Sequence, residues 1–267
     1  MEKARIDAYG LLEKLRRRSP VVHHLTNWVT IYDCAAAVKA LGASPVMAHA
    51  PEEAAEMAGL ADALVLNIGT LTVGLVKAMR IAARAAHKKG IPVVLDACGC
   101  GATRLRDEKA RELIKQAGVD ILKGNASEVA RLCGEKARTR GVDAGAVGKD
   151  LPALAEKLSA RKNCTVVITG AQDFICGGGG RYLVKNGHPL MRKVVGTGCM
   201  AASIIGAFAA VEKNYALASA AGLVCFEVAA EQAAKKSRGP AEFKQRMLDC
   251  LYRLDRPALE KMQKVWA

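Results

Sequence analysis

An α/β fold of three layers, a mainly parallel sheet with helices on both faces, is what three features of the sequence predict. Short β-rich runs alternate with helical stretches along most of the chain, most of those runs are nearly all apolar, and 51% hydrophobic residues come with only 4% aromatics. Alternating strands and helices are the mark of a parallel sheet with helical crossovers, and strands covered on both faces lose the in-and-out alternation of a half-exposed sheet. A core of Ala, Val, Leu, Ile and Met rather than large rings suits helices lying closely on such a sheet. A chain of 267 residues is within reach of one compact domain, which at that size buries roughly three-quarters of its unfolded surface. No linker, repeat or low-complexity stretch divides it, so one domain over 1–267 is expected.

The elements follow in order. Residues 1–18 carry mixed charge in a helical pattern, without the apolar core of a secretory leader. Strands are expected over 20–24, 44–47, 63–68, 92–95, 120–122 and 165–168. Pro51 with Glu52 and Glu53 opens one helix, with proline in its first turn and acids near its positive end, and Gly90 closes the next long one. Residues 134–149, rich in Gly, Arg and Asp, read as a loop followed by a helix. After Ile168 the pattern changes: 174–176 and 182–184 flank Gly177, Gly178, Gly179 and Gly180, which read as an antiparallel hairpin at the edge of the sheet. A phosphate-cradling role for those glycines is the weaker reading, since no helix follows them. From Gly198 the chain reads as helical to its end, broken near Lys213 and at Gly239 and Pro240.

The net charge of +14 raises the question of nucleic acid, which is bound by clustered Lys and Arg. Here the basic residues alternate with acids, as in 104–115 and 235–246, and almost no aromatics accompany them. A solvated basic surface that attracts small anions is expected, and no nucleic-acid partner. Nine cysteines are an odd number, and Cys34, Cys164 and Cys225 fall inside apolar runs, so they read as small buried hydrophobes of a reduced, cytoplasmic protein. No uninterrupted apolar segment is expected to be long enough to cross a bilayer, and no membrane association is expected.

Three stretches carry chemistry. In 194–203, the turn Gly196-Thr197-Gly198-Cys199 runs into a helix of small and apolar residues. Glycines let the backbone approach a ligand, and free amides and the helix dipole at such a start favour negative charge. A tight strand-to-helix connection uses the same residues, and the turn alone does not separate the two readings. Asp96 ends the Val93-Val94-Leu95 run, and Asn125-Ala126-Ser127-Glu128 follows Ile121-Leu122; both lie where open α/β sheets place their ligands. Asn125 suits an N-cap with Glu128 completing a capping box, a role compatible with holding magnesium through water. Cys98 and Cys100 are too close for ordinary zinc spacing and have no second pair. His23 and His24 could serve as bases, but at a strand end beside Thr26 and Asn27 one of them reads instead as a structural hydrogen-bonding group.

Taken together, the chain resembles the hydroxyethylthiazole kinases. The resemblance runs through Thr26-Asn27, Gly42-Ala43-Ser44-Pro45-Val46-Met47-Ala48, Leu66-Asn67-Ile68-Gly69-Thr70-Leu71, Asp96 with Gly99-Cys100-Gly101-Ala102-Thr103, Gly124-Asn125-Ala126-Ser127-Glu128, Thr169-Gly170 and Gly196-Thr197-Gly198-Cys199, in that order. It implies a three-layer αβα ribokinase-like fold, ATP-dependent phosphorylation of the hydroxyl of 4-methyl-5-(2-hydroxyethyl)thiazole in thiamine salvage, and a homotrimer with active sites at subunit boundaries. By position, Met47, Asn27 and Gly196 would bind the thiazole alcohol, Lys123 and Thr169 ATP, and Asp96 and Glu128 magnesium. Gly196, Gly198 and Cys199 would form the catalytic turn, Cys199 standing where ribokinase relatives carry an aspartate base. Two departures stand out: lysine at 123 where the family usually has arginine, and Asp96-Ala97-Cys98-Gly99 where it has Asp-Pro-Val-Gly. The alternatives are a kinase for another small alcohol such as hydroxymethylpyrimidine, and a nucleotide-binding dehydratase or sensor of the same fold. A dehydrogenase is disfavoured because no strand-linked Gly-x-Gly-x-x-Gly with a later acid is present.

Overall fold

A computed structural model describes residues 1–135 and 150–267, and the part of the expected loop and helix that falls in 136–149 lies outside the described residues. Among the described residues ten strands form one sheet. They are Lys3–Ala4 (β1), Val21–Leu25 (β2), Ser44–Val46 (β3), Ala63–Asn67 (β4), Val93–Asp96 (β5), Ile121–Asn125 (β6), Thr165–Thr169 (β7), Asp173–Gly177 (β8), Gly180–Val184 (β9) and Val265–Trp266 (β10). Six of them run parallel in the order β3-β2-β4-β5-β6-β7, and β8, β9, β10 and β1 extend the sheet antiparallel.

Helices Ala8–Arg18 (α1), Ile31–Leu41 (α2), Ala54–Leu60 (α3), Val73–Lys89 (α4), Arg104–Gln116 (α5), Ala126–Leu132 (α6), Leu151–Lys162 (α7), Thr197–Ala209 (α8), Tyr215–Ala234 (α9), Pro240–Arg253 (α10) and Arg256–Met262 (α11) cover both faces. Val22, Val65, Val94, Ile121 and Val167 pack under α1, α2, α8, α9 and α10. Leu64, Leu66, Val93, Leu95, Leu122 and Val166 face the other way, onto α3 to α7. These alternate positions are the period of two that a strand imposes, and both sets are apolar because both faces are covered. The three layers are the expected ones.

Three expectations change. The Gly177–Gly180 hairpin forms as β8 and β9, but it is not an edge, because the C-terminal β10 pairs with β9 and β1 with β10. The chain therefore ends in a strand rather than a helix; two residues are too short to show any periodicity. The third concerns α9, whose 20 residues are long and apolar enough to cross a membrane by length and composition. Its apolar window is 83% buried within the protein, as befits a core helix lying against the sheet.

Helix α8 is the central element of that layer. From Cys199 to Ala209 every residue is buried, and a Cβ on Gly206 would lie 2.5 Å from Val65 Cγ2, so glycine there lets the helix settle directly on β4. Its N-terminus is thereby aimed at the carboxyl ends of β4, β5 and β6.

Candidate active site

The alternation that buries Val65, Val94 and Ile121 under α8 puts the residues two further on, Asn67, Asp96 and Lys123, on the same face at the strand ends. The parallel register sets them side by side: Asn67 is opposite Asp96, and Asp96 is opposite Lys123. One row further out, Asn125 is opposite Thr169. In an open α/β sheet, this carboxyl edge is where ligands are held.

A cavity of about 990 Å³ opens over this edge, lined by Asn27, Asp96, Lys123, Glu128, Thr169 and the turn from Gly196 to Cys199, among others. The expected residues Asn27, Lys123, Thr169, Asp96, Glu128, Gly196, Gly198 and Cys199 thus meet in one place. Met47 does not line it. It follows the end of β3, at the far side of β2, where its carbonyl hydrogen-bonds His49 and the His49 ring stacks on Trp28.

A continuous polar network underlies the cavity. The Thr30 hydroxyl donates to Asn27 Oδ1 at 3.0 Å, Asn27 Nδ2 to Asn67 Oδ1 at 3.0 Å, and Asn67 Nδ2 to Asp96 Oδ2 at 2.8 Å. Lys123 Nζ donates to Asp96 Oδ1 at 3.2 Å, a buried ion pair. Both amides also reach the Cys199 sulfur at 3.3 Å. Glu128 closes the capping box of α6: Asn125 Oδ1 accepts from the Glu128 N–H, and Glu128 Oε2 from the Asn125 N–H at 2.6 Å. Its Oε1 accepts from the Gly99 N–H at 2.7 Å, which fastens the loop after β5 to α6.

At the start of α8, Gly196 adopts φ +94°, and a Cβ there would come within 2.6 Å of Thr30 Cγ2. Glycine is therefore required both by the left-handed backbone and by the space. A Cβ on Gly198 would be 3.2 Å from Lys123 Nζ, so the ammonium stands directly beside the first turn of the helix.

The electrostatics follow from crowding anionic groups around one cation. The neighbouring Cys98 thiol, the Lys123 ammonium and the Thr30 and Asn27 side chains together outweigh burial and hold Cys199 at about 5. Burial lifts Asp96 to about 8, an effect that Lys123 only partly offsets and the neighbouring acids reinforce. Burial also raises Glu128. For Lys123 burial acts downward, but Asp96 and Glu128 overcome it and keep the amine protonated. Such an excess of buried acid is what a hard cation relieves. Among the described residues no three metal-ligating side chains come together, and Asp96 and Glu128 are the two carboxylates of this edge that could hold a divalent cation.

The sequence reading did not include Asn67, Thr30 or Cys98 among the site residues. Asn67 carried a signal: a polar residue ending an apolar parallel strand, as Asp96 does. The proximity of Cys98 to Cys199 carried none, because it depends on how α8 meets the loop after β5. His23 and His24 are both fully buried; His23 Nε2 bonds the Ala48 carbonyl at 2.8 Å and His24 Nδ1 the Val22 carbonyl at 2.9 Å, as structural groups do.

Comparison with known proteins agrees with this geometry. A family model described as the hydroxyethylthiazole kinase family matches residues 12–257. A hydroxyethylthiazole kinase of Methanosarcina mazei is 51% identical over 95% of this chain and 97% of its own. One of Moorella thermoacetica is 47% identical over 91% of each. The solved structure of a hydroxyethylthiazole kinase protein from Pyrococcus horikoshii superposes with a TM-score of 0.88 at 40% identity, covering 97% of this chain and 98% of that one. A ribokinase-like superfamily protein from Enterococcus faecalis, 16% identical with a TM-score of 0.62, shares the fold.

Proposed function

The chain belongs to the hydroxyethylthiazole kinase family, and from that premise we propose that it transfers the terminal phosphoryl group of ATP to the hydroxyl of 4-methyl-5-(2-hydroxyethyl)thiazole, a step of thiamine synthesis or salvage. The observation that carries the reading is the meeting of the α8 N-terminus, the Lys123 ammonium, two carboxylates and the Cys199 sulfur in one cavity.

Phosphoryl transfer to a primary alcohol passes through a loose transition state with charge spread over the migrating group, so positioning and electrostatics dominate. The amides opening α8 and the Lys123 ammonium face that charge. Lys123 and Thr169 bind the nucleotide phosphates, Lys123 as a point charge where arginine would form a two-pronged contact. Asn27 and the Gly196 amide orient the alcohol; Met47, which does not line this cavity, would meet the thiazole ring only where the ring extends beyond the rim towards β3. Cys199, its thiol held below the ordinary range by Cys98 and Lys123, accepts a hydrogen bond from the acceptor hydroxyl and takes its proton as the oxygen–phosphorus bond forms. Bound with ATP and held by Asp96 and Glu128, magnesium would neutralise charge on the phosphate oxygens.

The same reading includes a single ribokinase-like domain over 1–267, a cytoplasmic location and a homotrimer with the active sites at subunit boundaries. Trp28, Val29, Tyr32 and Val195 support the last point: all are exposed, and Val29 and Val195 line the cavity itself, so its rim is apolar and open to a second copy. A coupled assay of ADP release with ATP, magnesium and hydroxyethylthiazole tests the activity. Turnover that depends on the thiazole alcohol is expected. Equal turnover with hydroxymethylpyrimidine, or none with either, would reject it.

A further inference from the structure

The cavity runs along the strand ends from β2 to β9, and the groups that handle alcohol and phosphate occupy only part of it. Asn27 and Thr30 stand after β2, Lys123 on β6 and Thr169 at the end of β7, whereas Asp173 opens β8 and Lys185 follows β9. Helix α9 packs on β8 and β9. Its Leu223, Phe226 and Glu227, on one face at helical spacing, line this far end together with Pro189 and Met191. Glu227 is 6% exposed, and its Oε2 is a buried oxygen without a hydrogen-bond partner among the described residues. His23 Nδ1, His24 Nε2 and Arg80 Nε share that condition, but none of those residues lines the cavity. A Cβ on Gly187 would lie 3.8 Å from the same oxygen and 3.7 Å from Met191 Sδ, which sets Oε2 beside the loop after β9. Its polar neighbours are engaged: Asn186 Nδ2 donates to Glu231 Oε1 at 3.0 Å, and Asp173 Oδ1 accepts from the Gly170 N–H at 2.8 Å. A buried acceptor left unpaired is costly, so such a group calls for a partner. Burial lifts Glu227 well above the ordinary carboxylate range, with Asp173 adding to the effect, which favours its neutral form.

We infer that Glu227 selects the base of the nucleotide, its Oε2 accepting a hydrogen bond from the exocyclic amino group of adenine. The inference rests on the kinase reading, which sets the phosphates between Lys123 and the start of α8. From there the base has one direction to take. Towards β2 stand Asn27 and Thr30, beside the place of the acceptor alcohol; towards β8 and β9 lie Leu223, Phe226, Pro189 and Met191, on which a flat ring can rest. The adenine ring carries one donor group, its amino group, and the wall beside it presents one buried oxygen without a partner among the described residues. Their contact satisfies both. A base without the amino group would leave Oε2 buried and unpaired, and a site built around a polar contact rejects the analogue that lacks it.

The test measures, by titration calorimetry on the full-length chain, the binding of ATP and of purine riboside triphosphate, which has hydrogen in place of the amino group. Thiazole-dependent turnover is followed with each. Wild type should bind ATP roughly 10- to 100-fold more tightly, the difference between a buried acceptor paired and the same acceptor left unpaired. Glu227→Leu should bind the two nucleotides equally, with the KM for hydroxyethylthiazole unchanged. Glu227→Gln, whose amide oxygen still accepts, should keep the preference. Glu227→Ala replaces the leucine variant should that one not fold. A general loss of packing weakens both nucleotides alike, so their ratio isolates the contact. The inference is overturned if wild type does not distinguish them, if Glu227→Leu keeps the preference, or if Glu227→Gln loses it. It is also overturned if Glu227→Leu weakens ATP but not 2′-deoxy-ATP, which would assign the carboxyl to the ribose. A chain without thiazole-dependent turnover rejects the kinase reading instead, and the binding ratio still decides the role of Glu227; binding of neither nucleotide overturns that role as well.

Discussion

Replacing Gly196 by alanine tests whether the turn before α8 positions the reacting groups. The new Cβ must sit at φ +94°, which costs an L residue roughly 1–2 kcal/mol, and 2.6 Å from Thr30 Cγ2. Relief to an ordinary 3.4 Å contact asks for a shift of 0.8 Å (3.4 less 2.6) between the turn and α2's first residues. Overpacking of this kind adds about 1–3 kcal/mol, so the folded state should lose about 2–5 kcal/mol in all, a fall of roughly 10 °C in Tm for a chain of this size. A displacement near 1 Å of a group that must meet the transferring phosphoryl lowers turnover about 100-fold. Steady-state kcat/KM with hydroxyethylthiazole, measured beside thermal melting, separates the two effects. Adding Thr30→Ser to the variant removes Cγ2 but keeps the hydroxyl that donates to Asn27, so it should return part of the stability and part of the rate, leaving the backbone strain. A Gly196→Ala protein with lowered Tm but kcat/KM within about 3-fold of wild type would falsify the positioning argument.

Other changes probe the remaining parts of the site. Cys199→Ala should keep measurable turnover, reduced by roughly 100-fold or somewhat more, because proton transfer supplies about 10²–10⁴ and the amides and Lys123 persist; steady-state kinetics at saturating substrates will show it. Asp96→Asn should raise the magnesium concentration needed for half-maximal rate and, because it leaves the buried Lys123 ammonium without its anionic partner, should also lower the melting temperature, read by metal titration and thermal melting. Gly198→Ala, on a helical residue, should leave stability unchanged or slightly raised, yet its Cβ at 3.2 Å from Lys123 Nζ should raise the KM for ATP. His24 is buried, its pKa lowered to about 4 by burial with His23 and His49 adding to the effect. The unfolded chain, with a histidine near 6.5, therefore binds the proton first, and stability present above pH 6.5 is lost as pH falls towards 4. By linkage the loss reaches up to about 3 kcal/mol. Melting curves between pH 7 and 5 should show the decline in wild type, and a flatter one in His24→Phe.

How much of this could be read from the sequence depends on the range of the interaction. Apolar runs such as Ala63–Asn67 and Val93–Asp96 announce themselves because a strand covered on both faces has no polar position to give up until it leaves the core. The same rule marks where a ligand can sit: Asn67, Asp96 and Lys123 are polar because they stand where the strands emerge, on the face that α8 covers only up to its own N-terminus. Asp96 was recognisable as the acid closing an apolar run, and Asn67 would have been had the rule been applied to every strand. Local capping was equally legible, since Asn125 and Glu128 need only their own neighbours to close the box. What escaped was the proximity of distant segments: Cys98 to Cys199, Thr30 to Gly196, and β10 to β9. In each case the partner is chosen by the packing of α8 or by the path of the C-terminus. A two-residue strand or a lone cysteine carries no periodicity from which that packing could be inferred. The catalytic turn lies between these limits. Its glycines suggest a close approach, but which group approaches is settled by Thr30 on one side and Lys123 on the other. For that reason the decisive substitutions are Gly196→Ala and Gly198→Ala, which add a single carbon against each of those neighbours in turn.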